Sequence, residues 1–185
     1  MEIMEIDRTE LEKILDRIGG ALGKPASLLL IGSAVGIHMG QPGRFTSDID
    51  VWLDGSDFDR ADLAQACAEA GVAFDPKGHE TAGAYLQIVG KGIVDIGNYE
   101  SGQKLFRTGN LTVCAPPVEN IAASKLLRAS EKDLEDIVFL LAATATPIDA
   151  VSRAIDTLDE KHRESARENL ALIEFLLGED GPCPQ

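Results

Sequence analysis

Cations are scarce in this chain: 17 lysines and arginines stand against 31 aspartates and glutamates, a formal net charge of −14 over 185 residues. That balance excludes non-specific nucleic-acid binding as a bulk property, because such affinity comes from neutralising phosphates with Lys and Arg. It leaves room for a local basic groove. Cysteine is sparse too. Cys67, Cys114 and Cys183 lie far apart with no Cys-x-x-Cys pair, so neither a zinc site nor a disulfide framework is indicated and a reducing cytoplasm is the expected compartment. No apolar run approaches the length of a membrane span. The opening Met-Glu-Ile-Met-Glu-Ile-Asp-Arg lacks the apolar core of a signal peptide, so no membrane partner is expected. No repeat or low-complexity segment stands out. Aromatic residues make up only 5% of the chain while 44% is apolar, so a core would be built mainly of Leu, Ile, Val and Ala.

The length suits one domain, or a compact α/β core with a helical extension. Residues 8–18 carry Leu11, Ile14, Leu15 and Ile18 at helical spacing, with Asp7 as N-cap, Glu10 in the capping-box position and Gly19-Gly20 as the stop. Gly23-Lys24-Pro25 is no P-loop, since proline occupies the Ser/Thr position. An apolar strand at residues 27–31 then runs into Gly32-Ser33 and a short helix over 33–39. Ser33 reads either as a phosphate-facing hydroxyl or as an ordinary N-cap. A Gly/Pro-rich loop over 40–47 carries Arg44, which reads as a nucleotide contact, a partner for an acid, or an exposed loop cation.

Residues 48–53, Asp-Ile-Asp-Val-Trp-Leu, read as a strand. Its alternation turns Ile49, Val51 and Leu53 to the core and puts Asp48, Asp50 and Trp52 on the other face. Two carboxylates on one face repel unless a cation lies between them, and hard oxygen donors at that spacing suit Mg²⁺, with Mn²⁺ as an alternative. A solvated edge strand is the plainer reading. Ser56 and Asp59 form a variant capping box for a helix ending near Ala70 and Gly71. From residue 72 to 113 short apolar runs punctuated by glycine read as strands. Residues 85–89 and 93–96 are joined there by a Gly90-Lys91-Gly92 hairpin turn. Asp95 in the second of these runs is a lone acid that needs a partner, such as a shared metal or solvent at a strand end. His38 and His79 are not at zinc spacing and read as surface or supporting groups.

Beyond Pro116-Pro117 helical periodicity continues over 118–129, 132–143, 148–158 and 163–177, with Ser130 and Asp133 as a capping box and Thr146-Pro147 opening the third segment. Residues 178–185 read as a frayed polar tail. Domain bounds follow: an α/β core over 1–115, a helical region over 116–178 and a tail over 179–185.

Gly32-Ser33, a spacer, Asp48-x-Asp50 on a strand and a lone later Asp95 together resemble the nucleotidyltransferase superfamily. Segment 117–128, Pro-Val-Glu-Asn-Ile-Ala-Ala-Ser-Lys-Leu-Leu-Arg, followed by Lys132-Asp-Leu-Glu-Asp, is similar to the late motifs of its AbiEii-like branch, which includes toxins of toxin–antitoxin systems. The family commonly has an arginine just before the last motif, where this chain has Ser130.

The resemblance implies a mixed sheet with flanking helices and a C-terminal helical bundle closing a nucleotide cleft. It also implies Mg²⁺ at Asp48, Asp50 and Asp95, and nucleotide contacts from Gly32, Ser33, Arg44, Lys125, Asp133 and Asp136. The activity so implied moves a nucleotidyl group from a nucleoside triphosphate to a hydroxyl on RNA, protein or a small molecule, with an antitoxin as a candidate partner. A fold that has lost turnover and only binds nucleotide or a partner is the alternative. Lys125 itself also reads as a lysine snorkelling from a helix boundary.

Overall fold

A computed structural model describes residues 5–77 and 83–179. His79, Cys183 and the tail beyond Glu179 lie outside the described residues. The architecture is mixed α/β, with a six-stranded sheet in the order β3-β4-β2-β1-β6-β5. The strands are β1 (Ala26–Leu30), β2 (Asp48–Asp57), β3 (Ala73–Phe74), β4 (Tyr85–Val89), β5 (Gln103–Thr108) and β6 (Leu111–Ala115). The helices are α1 (Arg8–Ala21), α2 (Ser33–His38), α3 (Arg60–Glu69), α4 (Val118–Lys125), α5 (Glu131–Thr144), α6 (Ile148–Ile155) and α7 (Glu160–Glu179).

Two compact units make up the chain. The first takes the residues up to Ile93 together with Ser101–Pro116, and the second takes Val94–Glu100 and the chain from Pro117 onward. All six strands and α1 to α3 belong to the first unit. The sheet is mixed: β1 runs antiparallel to β2 and parallel to β6, β2 is parallel to β4, and β5 and β6 form an antiparallel hairpin through Gly109 and Asn110. The core is aliphatic, as the composition requires, with Leu11, Ile14, Leu15 and Ile18 of α1 fully buried along with Leu28, Leu30, Ile49, Val51 and Leu86 of the strands.

Helix α1 begins as its cap predicts, Asp7 Oδ1 accepting from the Glu10 amide at 2.8 Å. It does not stop at Gly19-Gly20 but continues to Ala21. Gly19 is there for proximity instead. A Cβ at that position would overlap the Thr108 carbonyl oxygen, and the Gly19 carbonyl accepts from the Asn110 amide at 3.0 Å. A glycine that costs helix stability thus lets α1 lie against the β5–β6 turn.

Strand β2 departs from simple alternation. Ile49 and Val51 are buried as expected, but Leu53 is 46% exposed and Trp52 is buried. The cause is an irregularity in the β1–β2 ladder, where Leu29 pairs with Trp52 while Ser27 pairs with Asp57. The Ser56 hydroxyl fills the break, accepting from the Leu29 amide at 2.9 Å and donating to the Trp52 carbonyl at 2.6 Å. Leu53 therefore sits in a bulge whose pleat no longer points it inward. Ser56 being occupied in the sheet, α3 is capped by Asp59, which accepts from the Ala61 and Asp62 amides.

In the second unit the capping box at α5 is present as read: Ser130 Oγ accepts from the Asp133 amide, and the Asp133 carboxylate accepts from the Ser130 amide. No helix among the described residues is long and apolar enough to cross a membrane.

Candidate functional site

The pair of acids on β2 is the most distinctive polar feature of the first unit. β4 pairs with β2 in parallel register, Asp48 opposite Tyr85 and Asp50 opposite Gln87. Directly opposed residues project from the same side of a sheet, so one face carries Asp48, Asp50, Tyr85 and Gln87. Asp48 is held at both oxygens: Thr46 Oγ1 donates to Oδ1 at 2.6 Å and the Tyr85 hydroxyl donates to Oδ2 at 3.3 Å. Burial and the neighbouring Asp48 charge push the Tyr85 phenol above its ordinary pKa, so it stays protonated and able to donate.

Gly32, at the tip of β1, comes close to this face. The Ile31 amide donates to the Asp50 carbonyl at 3.0 Å, and a Cβ on Gly32 would lie 3.0 Å from Asp50 Oδ2. Gly32 also has φ 68° and ψ −148°, a conformation essentially reserved for glycine. Position and conformation therefore both require the residue that the motif supplied. Ser33 opens α2 but does not cap it. Its hydroxyl accepts from Arg44 Nη2 at 2.6 Å, and Arg44 Nη1 donates to the Phe45 carbonyl at 3.0 Å. Arg44 is thus tied to Ser33, bringing a guanidinium to the edge of the Gly32–Asp50 approach.

The remaining residues of the expected site belong to the second unit, and each has partners there. Asp95 is not on a strand. The hairpin at residues 90–92 closes only to a bridge, and the chain from Val94 to Glu100 joins the second unit instead. This segment is fastened by the buried Asn120 amide, which donates to the Ile96 carbonyl at 2.9 Å, and by the Asn98 amide donating to Thr157 Oγ1 at 3.0 Å. The Asp95 carboxylate accepts from the Gly97 amide at 3.0 Å, the Asp159 amide at 2.8 Å and, in a 2.7 Å contact, lies against His162 Nδ1. Burial works to raise its pKa, but the hydrogen bonds from His162 and the two amides outweigh that and hold it below the ordinary carboxylate range. Asp95, Asp159 and His162 offer donor atoms within 4.8 Å of one another, a set that could hold a cation. The hydrogen bonds of Asp95 also give it a structural place, securing the turn into α7.

Lys125, Asp133 and Asp136 form an ion network that ties α4 to α5. Lys125 Nζ lies 2.7 Å from Asp136 Oδ2 and 3.5 Å from Asp133 Oδ1. Lys125 and both carboxylates are buried. Arg128 completes the network with a two-pronged contact to Asp133, Nε at 2.6 Å and Nη2 at 2.7 Å. Burial tends to raise the Asp133 pKa, yet the hydrogen bonds from Arg128 and Ser130 and the Lys125 charge prevail and drive it far below the usual range. These contacts give all three residues an account in packing, without a nucleotide.

Sequence reasoning missed Tyr85, Thr46, Arg128 and His162. Thr46 is two residues from Asp48 and Arg128 sits three after Lys125, so local spacing could have raised both. The contacts of Tyr85 and His162 span 37 and 67 residues and left no local trace. No family model, no curated protein and no solved structure matches the chain.

Proposed function

We propose that the β2 face of the first unit binds a divalent cation together with a nucleoside triphosphate, and that the chain is a nucleotidyltransferase. The observation that carries this reading is the approach of Gly32 to Asp50 beside a second, braced carboxylate. Hard oxygen donors on one face, with one of them fixed at both oxygens, fit Mg²⁺, which is usually shared with substrate phosphates. In the proposed reaction the acceptor hydroxyl forms a bond to the α-phosphorus while the bond to the α–β bridging oxygen breaks. Pyrophosphate leaves with that electron pair, and the hydroxyl proton is given up to water. Asp48 and Asp50 would hold the cation, whose contribution is to neutralise charge on the phosphates. Gly32 keeps the approach to Asp50 open, and Ser33 with Arg44 would contact phosphate oxygens.

Asp95, with its carboxylate engaged at the start of α7, favours a second reading in which the β2 face binds nucleotide without turnover. Calorimetry with Mg²⁺ and each nucleoside triphosphate, alongside assay of pyrophosphate release with candidate acceptors, separates the two. The proposed enzyme binds and releases pyrophosphate, and Asp50→Asn removes both activities. Linkage sets the expected stabilisation at about 2.7 kcal/mol when ligand is present at a hundredfold excess over its dissociation constant. Binding without release under any acceptor supports the second reading. Parent protein that is unmoved by cation and nucleotide sinks both.

A further inference from the structure

The second unit holds a group of metal-ligating side chains that the proposed nucleotide site does not use. Asp95, Asp159 and His162 each bring one donor atom to within 4.8 Å of the other two. They come from two distant stretches: Asp95 lies in the Val94–Glu100 segment, and the other two stand at the start of α7. Asp159 immediately precedes that helix and His162 follows three residues later, a spacing that puts both side chains on one side of the first turn.

The Asp95 carboxylate is already oriented. The Gly97 and Asp159 amides donate to its two oxygens at 3.0 and 2.8 Å, and a carboxylate fixed in this way still has lone pairs to offer a cation. Asp159 does not behave as an acid that merely opens a helix. Such a residue ordinarily accepts from an amide of the first turn, yet the His162 amide donates to the Asp159 backbone carbonyl at 2.8 Å. The Asp159 carboxylate has no hydrogen bond or ion pair among the described residues and offers an oxygen beside Asp95 and His162 instead. Two acids so close repel each other unless a cation joins them.

We propose that Asp95, Asp159 and His162 bind Zn²⁺, which clamps the Val94–Glu100 segment to the start of α7. One imidazole with two carboxylates suits Zn²⁺ better than Mg²⁺, which takes oxygen ligands. The cation takes the place of the 2.7 Å contact between Asp95 Oδ2 and His162 Nδ1. Bonded at about 2.1 Å to each, it spreads that pair by roughly half an ångström. His162 ligates through the Nδ1 lone pair, with its ring proton on Nε2. The exposed Asp159 side chain swings in as the third ligand, and water completes the tetrahedron. Both amide bonds to Asp95 survive. No residue of the β2 face takes part.

The test uses the full-length chain stripped with EDTA and titrated with Zn²⁺ alone, followed by calorimetry and thermal melts. Asp50→Asn serves as the background, so that the acid pair of β2 does not compete for the ion. The expected result is uptake of one Zn²⁺ per chain with a raised melting temperature, and no such rise with Mg²⁺. Asp159→Asn and His162→Gln, each added to that background, should lower Zn²⁺ affinity about tenfold or more. The metal-free melting temperature of the Asp159→Asn protein should hold, since that carboxylate makes no contact there, and this variant keeps the test readable even if the His162 change disturbs folding. Absence of Zn²⁺ uptake overturns the proposal. So does uptake that is unchanged in Asp159→Asn, which would put the ion on other groups such as the cysteines, or equal stabilisation by Mg²⁺.

Discussion

Replacing Lys125 with methionine tests the buried ion network directly. Methionine keeps the unbranched stem and the helix propensity, so the change removes the ammonium and little else. The ammonium lies 2.7 Å from Asp136 and 3.5 Å from Asp133, and both acids are buried. Asp133 retains Arg128 and Ser130, while Asp136 loses its 2.7 Å contact with the ammonium. Removing one partner of a buried pair costs about 3–5 kcal/mol, because a desolvated charge is left without its counter-charge. With a urea dependence of about 2 kcal/mol per molar, the unfolding midpoint should fall by roughly 1.5–2.5 M. The double variant Lys125→Met, Asp136→Leu should regain most of this, since replacing both members of a buried pair by apolar groups of similar shape is often nearly neutral.

The pH dependence carries a second signature. Asp133 is held well below its ordinary pKa in the folded chain, so its stabilisation is fully present above the unfolded value of about 3.9 and is lost as pH falls toward the folded one. Lys125→Met removes one of the charges responsible, so the acid limb of stability against pH should become shallower. A Lys125→Met protein within about 0.5 kcal/mol of the parent would falsify the account of this lysine as a structural cation. If nucleotide affinity fell as well in such a protein, the phosphate role implied by the resemblance would be favoured.

Other expected outcomes follow from single positions. Gly19→Ala should destabilise by about 1–3 kcal/mol, because the added methyl meets the Thr108 carbonyl. Gly20→Ala, with open space around it in the same helix, should instead stabilise by up to about 1 kcal/mol; thermal melts of the two variants should move in opposite directions. Gly32→Ala, at φ 68° and 3.0 Å from Asp50 Oδ2, should cost about 1–3 kcal/mol, and calorimetry should show weaker cation binding. Burial pushes the Cys67 thiol up to about 12, so it should resist iodoacetamide in the folded protein at pH 8 and react once urea unfolds the chain.

Elements specified by neighbours in the chain were legible in the sequence. Asp7, and Ser130 with Asp133, act within a few residues of themselves, and the two acids of β2 share a face through strand alternation alone; these patterns carried through to the structure. What failed depended on distant partners. Leu53 was read as core by strict alternation, but the Ser56 hydroxyl replaces a ladder bond to Leu29, and no local pattern announces that substitution. Gly19 looked like a helix stop because nothing nearby shows that Thr108 needs its space. Asp95 sat in an apolar run resembling a strand, and its real partners, His162 and the Asp159 amide, come more than sixty residues later. Lys125 and its two acids were visible as a motif, but whether they face a ligand or one another depends on how α4 packs on α5.

The seven-residue loan of Val94–Glu100 to the second unit bears on how this chain can be divided. A recombinant piece starting at Pro117 would keep all four C-terminal helices yet lack the Ile96 carbonyl that accepts from the buried Asn120 amide, and the Asp95 carboxylate that receives the Asp159 amide. Its mirror piece, ending at Pro116, would carry a stretch whose docking surface had been removed. No single cut therefore yields two self-sufficient fragments. Separating the units requires excising Val94–Glu100, bridging Ile93 to Ser101 with a short linker, and grafting the excised segment onto the helical half.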